Sequence, residues 1–134
     1  MLIVLQALAL AGFIASVAVH ISALSGIAAA PYVFGLHAGI FVVFVPAALL
    51  QKRFVISGDR SKIWSELLRG CPRWISAAIP LLLTYAVLNF FLGPTSNSKD
   101  PVTTLRIFSG IWMLFYFVSF SLVLSFRRLS GRVL

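Results

Sequence analysis

Long apolar runs separated by short polar or basic stretches organise this chain. A membrane-spanning helix needs about 20 mostly apolar residues, and the runs at roughly 2–24, 31–50, 74–92 and 105–126 each approach or exceed that length. Their ends carry matching punctuation. Pro31 suits a first helical turn, Gly93-Pro94 stops the third run, and Asp100 is placed to cap a helix that starts at Pro101. Between the second and third runs, "SKIWSELLRG" sets Ile63, Trp64, Leu67 and Leu68 on one helical face, with Lys62, Glu66 and Arg69 elsewhere and Gly70 as a stop. The pattern predicts a short interfacial helix over about 61–69, an amphipathic connector lying under the bundle. The expected fold is all-α and polytopic: four transmembrane helices in one compact domain over 1–134, with no internal repeat.

Composition agrees with a bilayer setting. The chain is 60% hydrophobic and 10% charged, against about 25% charged in soluble domains. A net charge of +8 raises the question of nucleic acid, but the eleven basic residues flank apolar runs instead of forming a patch interleaved with stacking aromatics. They read as topology signals. Lys52, Arg53, Arg60, Lys62, Arg69, Arg73, Arg127, Arg128 and Arg132 fall on one side of the predicted spans, leaving only Lys99 and Arg106 on the other. By the positive-inside rule both termini are cytoplasmic. The N-terminal run lacks the basic n-region of a secretory signal and exceeds the usual 7–15 apolar residues, so it reads as a retained helix. With no arginine before Arg53 a mitochondrial transit peptide is excluded, and the compact size points to a prokaryotic inner membrane. A single cysteine, Cys71, excludes an internal disulfide and any CxxC signature.

Lipid tails solvate leucine as well as protein does, so helix association relies on small residues and interhelical hydrogen bonds. Gly12, Ser16 and His20 recur at spacing four and share a face of the first helix, and Gly35 and Gly39 form a small-xxx-small pair on the second, from a different side of which His37 projects. Pro46 and Pro80 fall inside predicted spans, where kinks are expected. The last run is rich in aromatic residues and serine. Aromatic packing is its default, with Ser109, Ser119, Ser121 and Ser125 able to bond back to their own helix.

The candidate chemistry lies in one layer. From the helical rise of about 1.5 Å per residue, His20 and His37 sit roughly 10 Å and 5 Å outside the midplanes of their helices. Asn89 falls at a similar height with Tyr85 one turn deeper, and Arg106 stands near the outer end of the fourth helix. Since consecutive helices on a short loop pack antiparallel, the two imidazoles are expected to face each other inside the bundle. Three readings compete. The histidines are structural, bonded to serine or carbonyl groups, in a non-enzymatic structural or accessory subunit. Alternatively, both are axial ligands of a b-type haem whose propionates meet Arg106. Or the layer is a solute or proton pathway, against which stands the lack of any Asp or Glu within a span. No cofactor or metal is expected under the first reading, and the partners are the bilayer and a homo-oligomer or larger membrane complex. Neither a nucleophile triad, a metal-ligand spacing nor a Gly-rich phosphate loop suggests an enzyme.

Overall fold

The computed structural model describes residues 1–28, 31–51, 61–92 and 100–133. These form helices and turns only: α1 (Leu2–Leu24), a 3-10 turn (Pro31–Phe34) leading into α2 (Gly35–Gln51), the short α3 (Ile63–Leu67), α4 (Arg73–Phe91) and α5 (Pro101–Val133). Three of them, α1, α4 and α5, are long and apolar enough to cross a membrane, while α2 has 17 residues. The helices α2 and α4 continue through Pro46 and Pro80. The Gly93-Pro94 stop and the basic residues Lys52, Arg53, Arg60 and Lys99 lie outside the described residues.

Local chemistry sets the helix ends. At the end of α1 the Ile27 N–H reaches the Ser22 carbonyl at 2.9 Å and the Gly26 N–H reaches Ala23 at 3.1 Å. With Gly26 at φ 76° this is a Schellman cap, which only glycine enters without a steric penalty. At the start of α5 the Asp100 carboxylate accepts the Val102 and Thr103 amides at 3.2 and 3.3 Å and the Thr103 hydroxyl at 2.9 Å. These bonds, the Thr103 hydroxyl foremost, hold the Asp100 carboxyl below its ordinary range. The expected end of this helix near 126 is exceeded, since α5 runs on through Val133. Arg127 and Arg128 are good helix formers, and Gly131 costs the helix only about 1 kcal/mol.

The long helix α5 is the centre of the structure. Its apolar span is 61% buried, against 17% for α1 and 22% for α4, and it packs on α1, α2 and α4. The arrangement is three helices around a fourth. Serines on several sides of α5 explain this position: Ser109, Ser119, Ser121 and Ser125 are all buried, and protein neighbours shield their hydroxyls from hydrocarbon.

Long helices alternate in direction. Gln51 donates to the Leu122 carbonyl at 2.6 Å, the Gly70 amide donates to Ser125 Oγ at 3.1 Å, and Arg127 donates to Gln6. The start of α1, the end of α2, the segment before α4 and the C-terminal half of α5 therefore share one end. Leu68, just beyond α3, is buried against Ile75, Ile79 and Phe117, whereas Trp64 is exposed. The predicted helix over 61–69 is thus shorter, and it anchors through its last turn.

Small residues admit one large ring. A Cβ on Gly12 would overlap the Tyr116 ring carbons, and one on Gly39 would overlap the Tyr116 hydroxyl. Tyr116 is buried and donates to the Leu36 carbonyl at 2.9 Å. Gly35 corrects the small-xxx-small expectation, because a Cβ there meets nothing within 4 Å. Its partner in the motif packs; Gly35 itself opens away from α5.

Candidate functional site

Five side chains from three helices meet around the second and third turns of α5: His20 on α1, Tyr85 and Asn89 one turn apart on α4, and Arg106 and Ser109 on α5. Asn89 grips Arg106 twice. Its Nδ2–H donates to the Arg106 carbonyl at 3.0 Å, and its Oδ1 accepts the Arg106 Nε–H at 2.9 Å. His20, 4% exposed, has Nδ1 2.8 Å from Ser109 Oγ and Nε2 against the Tyr85 hydroxyl.

The direction of this chain follows from counting protons. Ser109 Oγ donates its one hydrogen to the Arg106 carbonyl at 3.1 Å, so towards His20 it can only accept. In a neutral imidazole Nδ1 then carries the proton, Nε2 accepts and the Tyr85 hydroxyl donates. The chain runs Tyr85 to His20 to Ser109 and ends on a backbone carbonyl. Gly110 permits the crowding: a Cβ there would stand 3.1 Å from Asn89 Nδ2 and 3.9 Å from His20 Cε1.

Of the residues singled out from sequence, His20, Tyr85, Asn89 and Arg106 are brought together; Ser16 and His37 are not. Ser16 is buried and bonds back to the Gly12 carbonyl at 2.7 Å. His37 is exposed, accepts the Trp112 indole N–H at Nδ1 over 3.1 Å, and lies edge-on to Phe108 at 5.7 Å. The two histidines therefore occupy separate sites. No hydrogen bond or ring contact joins them among the described residues, because His20 points into the α1/α4/α5 junction and His37 into the aromatic edge of α2 and α5. This geometry does not fit a haem held between them: a metal at His20 would have to displace Tyr85 or Ser109. Among the described residues no group of three or more His, Cys, Asp or Glu side chains is placed to hold a metal ion.

Several structural participants escaped the sequence reading. Ser109 bonds back to its own helix as expected, but it also receives His20. Ser125 accepts the Gly70 amide, and a Cβ on Gly70 would lie 2.5 Å from the Ser125 carbonyl oxygen. Gly70 is thus a point of close backbone approach as well as a helix stop. Cys71 beside it donates to the Ser121 carbonyl at 3.1 Å, and burial pushes its thiol pKa up. Gln51, buried at the end of α2, was legible only as a polar residue closing an apolar run. No protein family, curated protein or solved structure matches the chain.

Proposed function

We propose that this chain is a four-span integral membrane protein, with both termini on the cytoplasmic side of a prokaryotic inner membrane. Its polar layer acts as a structural clasp in a non-enzymatic structural or accessory subunit of a membrane complex. The observation that carries the reading is the closure of the hydrogen-bond chain. A relay must pass its proton onward, but the path from Tyr85 through His20 and Ser109 ends on the Arg106 carbonyl, which has no proton to give and is a poor base. A ligand site needs free polar atoms, and here both His20 nitrogens and both Asn89 amide atoms are engaged, leaving, among the described residues, the Nη donors of Arg106 as the unused polar atoms of these three side chains. Such a chain fastens α1 and α4 to α5.

The fourth span is α2 with its preceding turn. Four 3-10 residues and 17 α-helical residues reach about 34 Å, enough for a hydrocarbon core of about 30 Å. Phe41, Val42 and Leu49 face outward from it, as lipid contact requires. Alternating helix directions and the collection of Arg69, Arg73, Arg127 and Arg128 at one end of the molecule support the N-in, C-in orientation.

Vesicle reconstitution tests the clasp reading. Tyr85→Phe is expected to lower the melting temperature in mild detergent while leaving proton flux at the level of protein-free vesicles; a wild-type flux that Tyr85→Phe abolishes would replace the clasp with a relay. Topology is checked separately by cysteines at Ser98 and Ser130 in a Cys71→Ser background, which should react with an impermeant reagent from outside and inside respectively. Labelling of both from the same face would reject the four-span arrangement.

A further inference from the structure

Among the described residues the hydrogen bond from α4 to α1 lies at one level, between Tyr85 and His20. Further along α5, towards its C-terminal end, the same two helices flank an apolar groove of about 700 Å³. Phe13 of α1 and Trp74 and Leu82 of α4 form its sides, Phe117 and Leu124 of α5 form its floor, and Arg128 stands at its end. Phe117 is braced by ring contacts from both walls, Phe13 at 5.5 Å and Trp74 at 6.5 Å.

We propose that this groove holds one acyl chain of an anionic phospholipid, with the lipid phosphate at Arg128. Length is the first argument. Phe117 and Arg128 are eleven residues apart on one helix, or about 16 Å, which matches one leaflet of a hydrocarbon core about 30 Å thick. A transmembrane helix is the competing occupant, but it needs the whole thickness and a width of about 10 Å, and the His20–Tyr85 contact blocks its path beyond the groove. Charge is the second argument. Arg128 meets the Gly70 carbonyl only at the 3.5 Å limit of hydrogen bonding and keeps most of its five donors for a phosphate. Arg73 follows the lining residue Pro72 directly, and no acidic side chain lines the groove among the described residues. Trp74, 62% exposed beside this charged end, has the place of an interfacial aromatic anchor. The remaining lining is apolar, suited to a hydrocarbon chain.

The proposal rests on the membrane reading above, and its test separates the two, because cysteine labelling reports topology whatever the groove contains. Full-length protein is equilibrated in mild detergent with mixed micelles of palmitoyl-oleoyl phosphatidylglycerol or the matching phosphatidylcholine, and retained lipid is counted by native mass spectrometry. Wild type is expected to keep one phosphatidylglycerol per chain. Arg128→Gln should weaken that retention about fivefold, the effect of removing one basic contact near a lipid headgroup. Ala78→Trp from the α4 side and Leu10→Trp from the α1 side fill the groove independently, and either variant that keeps the wild-type helix content should lose the lipid. Undiminished phosphatidylglycerol binding in such a filled variant would place the lipid elsewhere and overturn the proposal. Equal retention of phosphatidylcholine would overturn the anionic assignment, and a wild-type dimer that the filled variants convert to monomer would assign the groove to a second copy of this chain.

Discussion

The two halves of α5 touch the same neighbours and hold them in different ways. In its N-terminal half the links from α1 and α2 include two side chain to side chain bonds, His20 to Ser109 and Trp112 to His37, beside Tyr116 on the Leu36 carbonyl. Towards the C-terminal end most links have a backbone group as one partner, with Gln51 on the Leu122 carbonyl, Cys71 on the Ser121 carbonyl and the Gly70 amide on Ser125, while Arg127 and Gln6 add one side-chain pair. A carbonyl already used within a helix retains a second lone pair, so any donor that comes close enough can bond to it. The first arrangement depends on particular residues in particular rotamers; the second depends on close approach, which Gly70 permits. Paired side-chain chemistry is therefore denser around His20, and close backbone approach weighs more in the other half.

The sharpest way to break this contrast is to remove the hub of the clasp. His20→Ala is expected to destabilise the protein by about 3 kcal/mol, combining a cavity with the broken network, as measured by unfolding in detergent. In a double-mutant cycle with Tyr85→Phe the two changes should couple by about 1 kcal/mol or more, whereas His20→Ala and His37→Ala should add within about 0.5 kcal/mol. Coupling between the histidines instead would restore a shared site.

Shape is tested next, at Tyr116. Gly12→Ala and Gly39→Ala should each cost about 2 kcal/mol by overpacking, and they should respond differently to Tyr116→Phe. Gly39 meets the hydroxyl and is relieved when that oxygen is removed; Gly12 meets ring carbons and is not. Equal relief at both positions would show that the ring shifts as a whole.

A smaller effect is expected at Asp100. Its carboxyl is held down by the Thr103 hydroxyl and the amides of the first turn, so its contribution to stability is complete above the unfolded carboxylate value of about 3.9 and declines as pH falls through its lower folded value. Asp100→Asn should flatten the acid limb of a melting-temperature profile below that value, and an unchanged limb would mean the cap does not couple to unfolding. The smallest effect belongs to Gly35→Ala, within about 0.5 kcal/mol, since nothing surrounds that position. A loss as large as at Gly39 would mean that this surface packs against something in the membrane.

What the sequence by itself determined is placement along the helix axes. Apolar length marks the helical runs, Asp100-Pro101 starts the last helix, and the constant rise of a helix puts His20, Tyr85, Asn89 and Arg106 near one level before any contact is known. Rotation about each axis was not legible in the same way. α1 and α2 are apolar almost all round, and a helix without a distinct polar face does not declare which side will be buried; His37 and Gly35 therefore turned outward while His20 and Gly39 turned in. The choice of α5 as the centre, the use of Ser109 to receive His20 and the groove beside Phe117 belong to the tertiary structure alone. Each depends on how large and small side chains from distant parts of the chain fit together, and in an apolar surrounding that fit decides which faces meet.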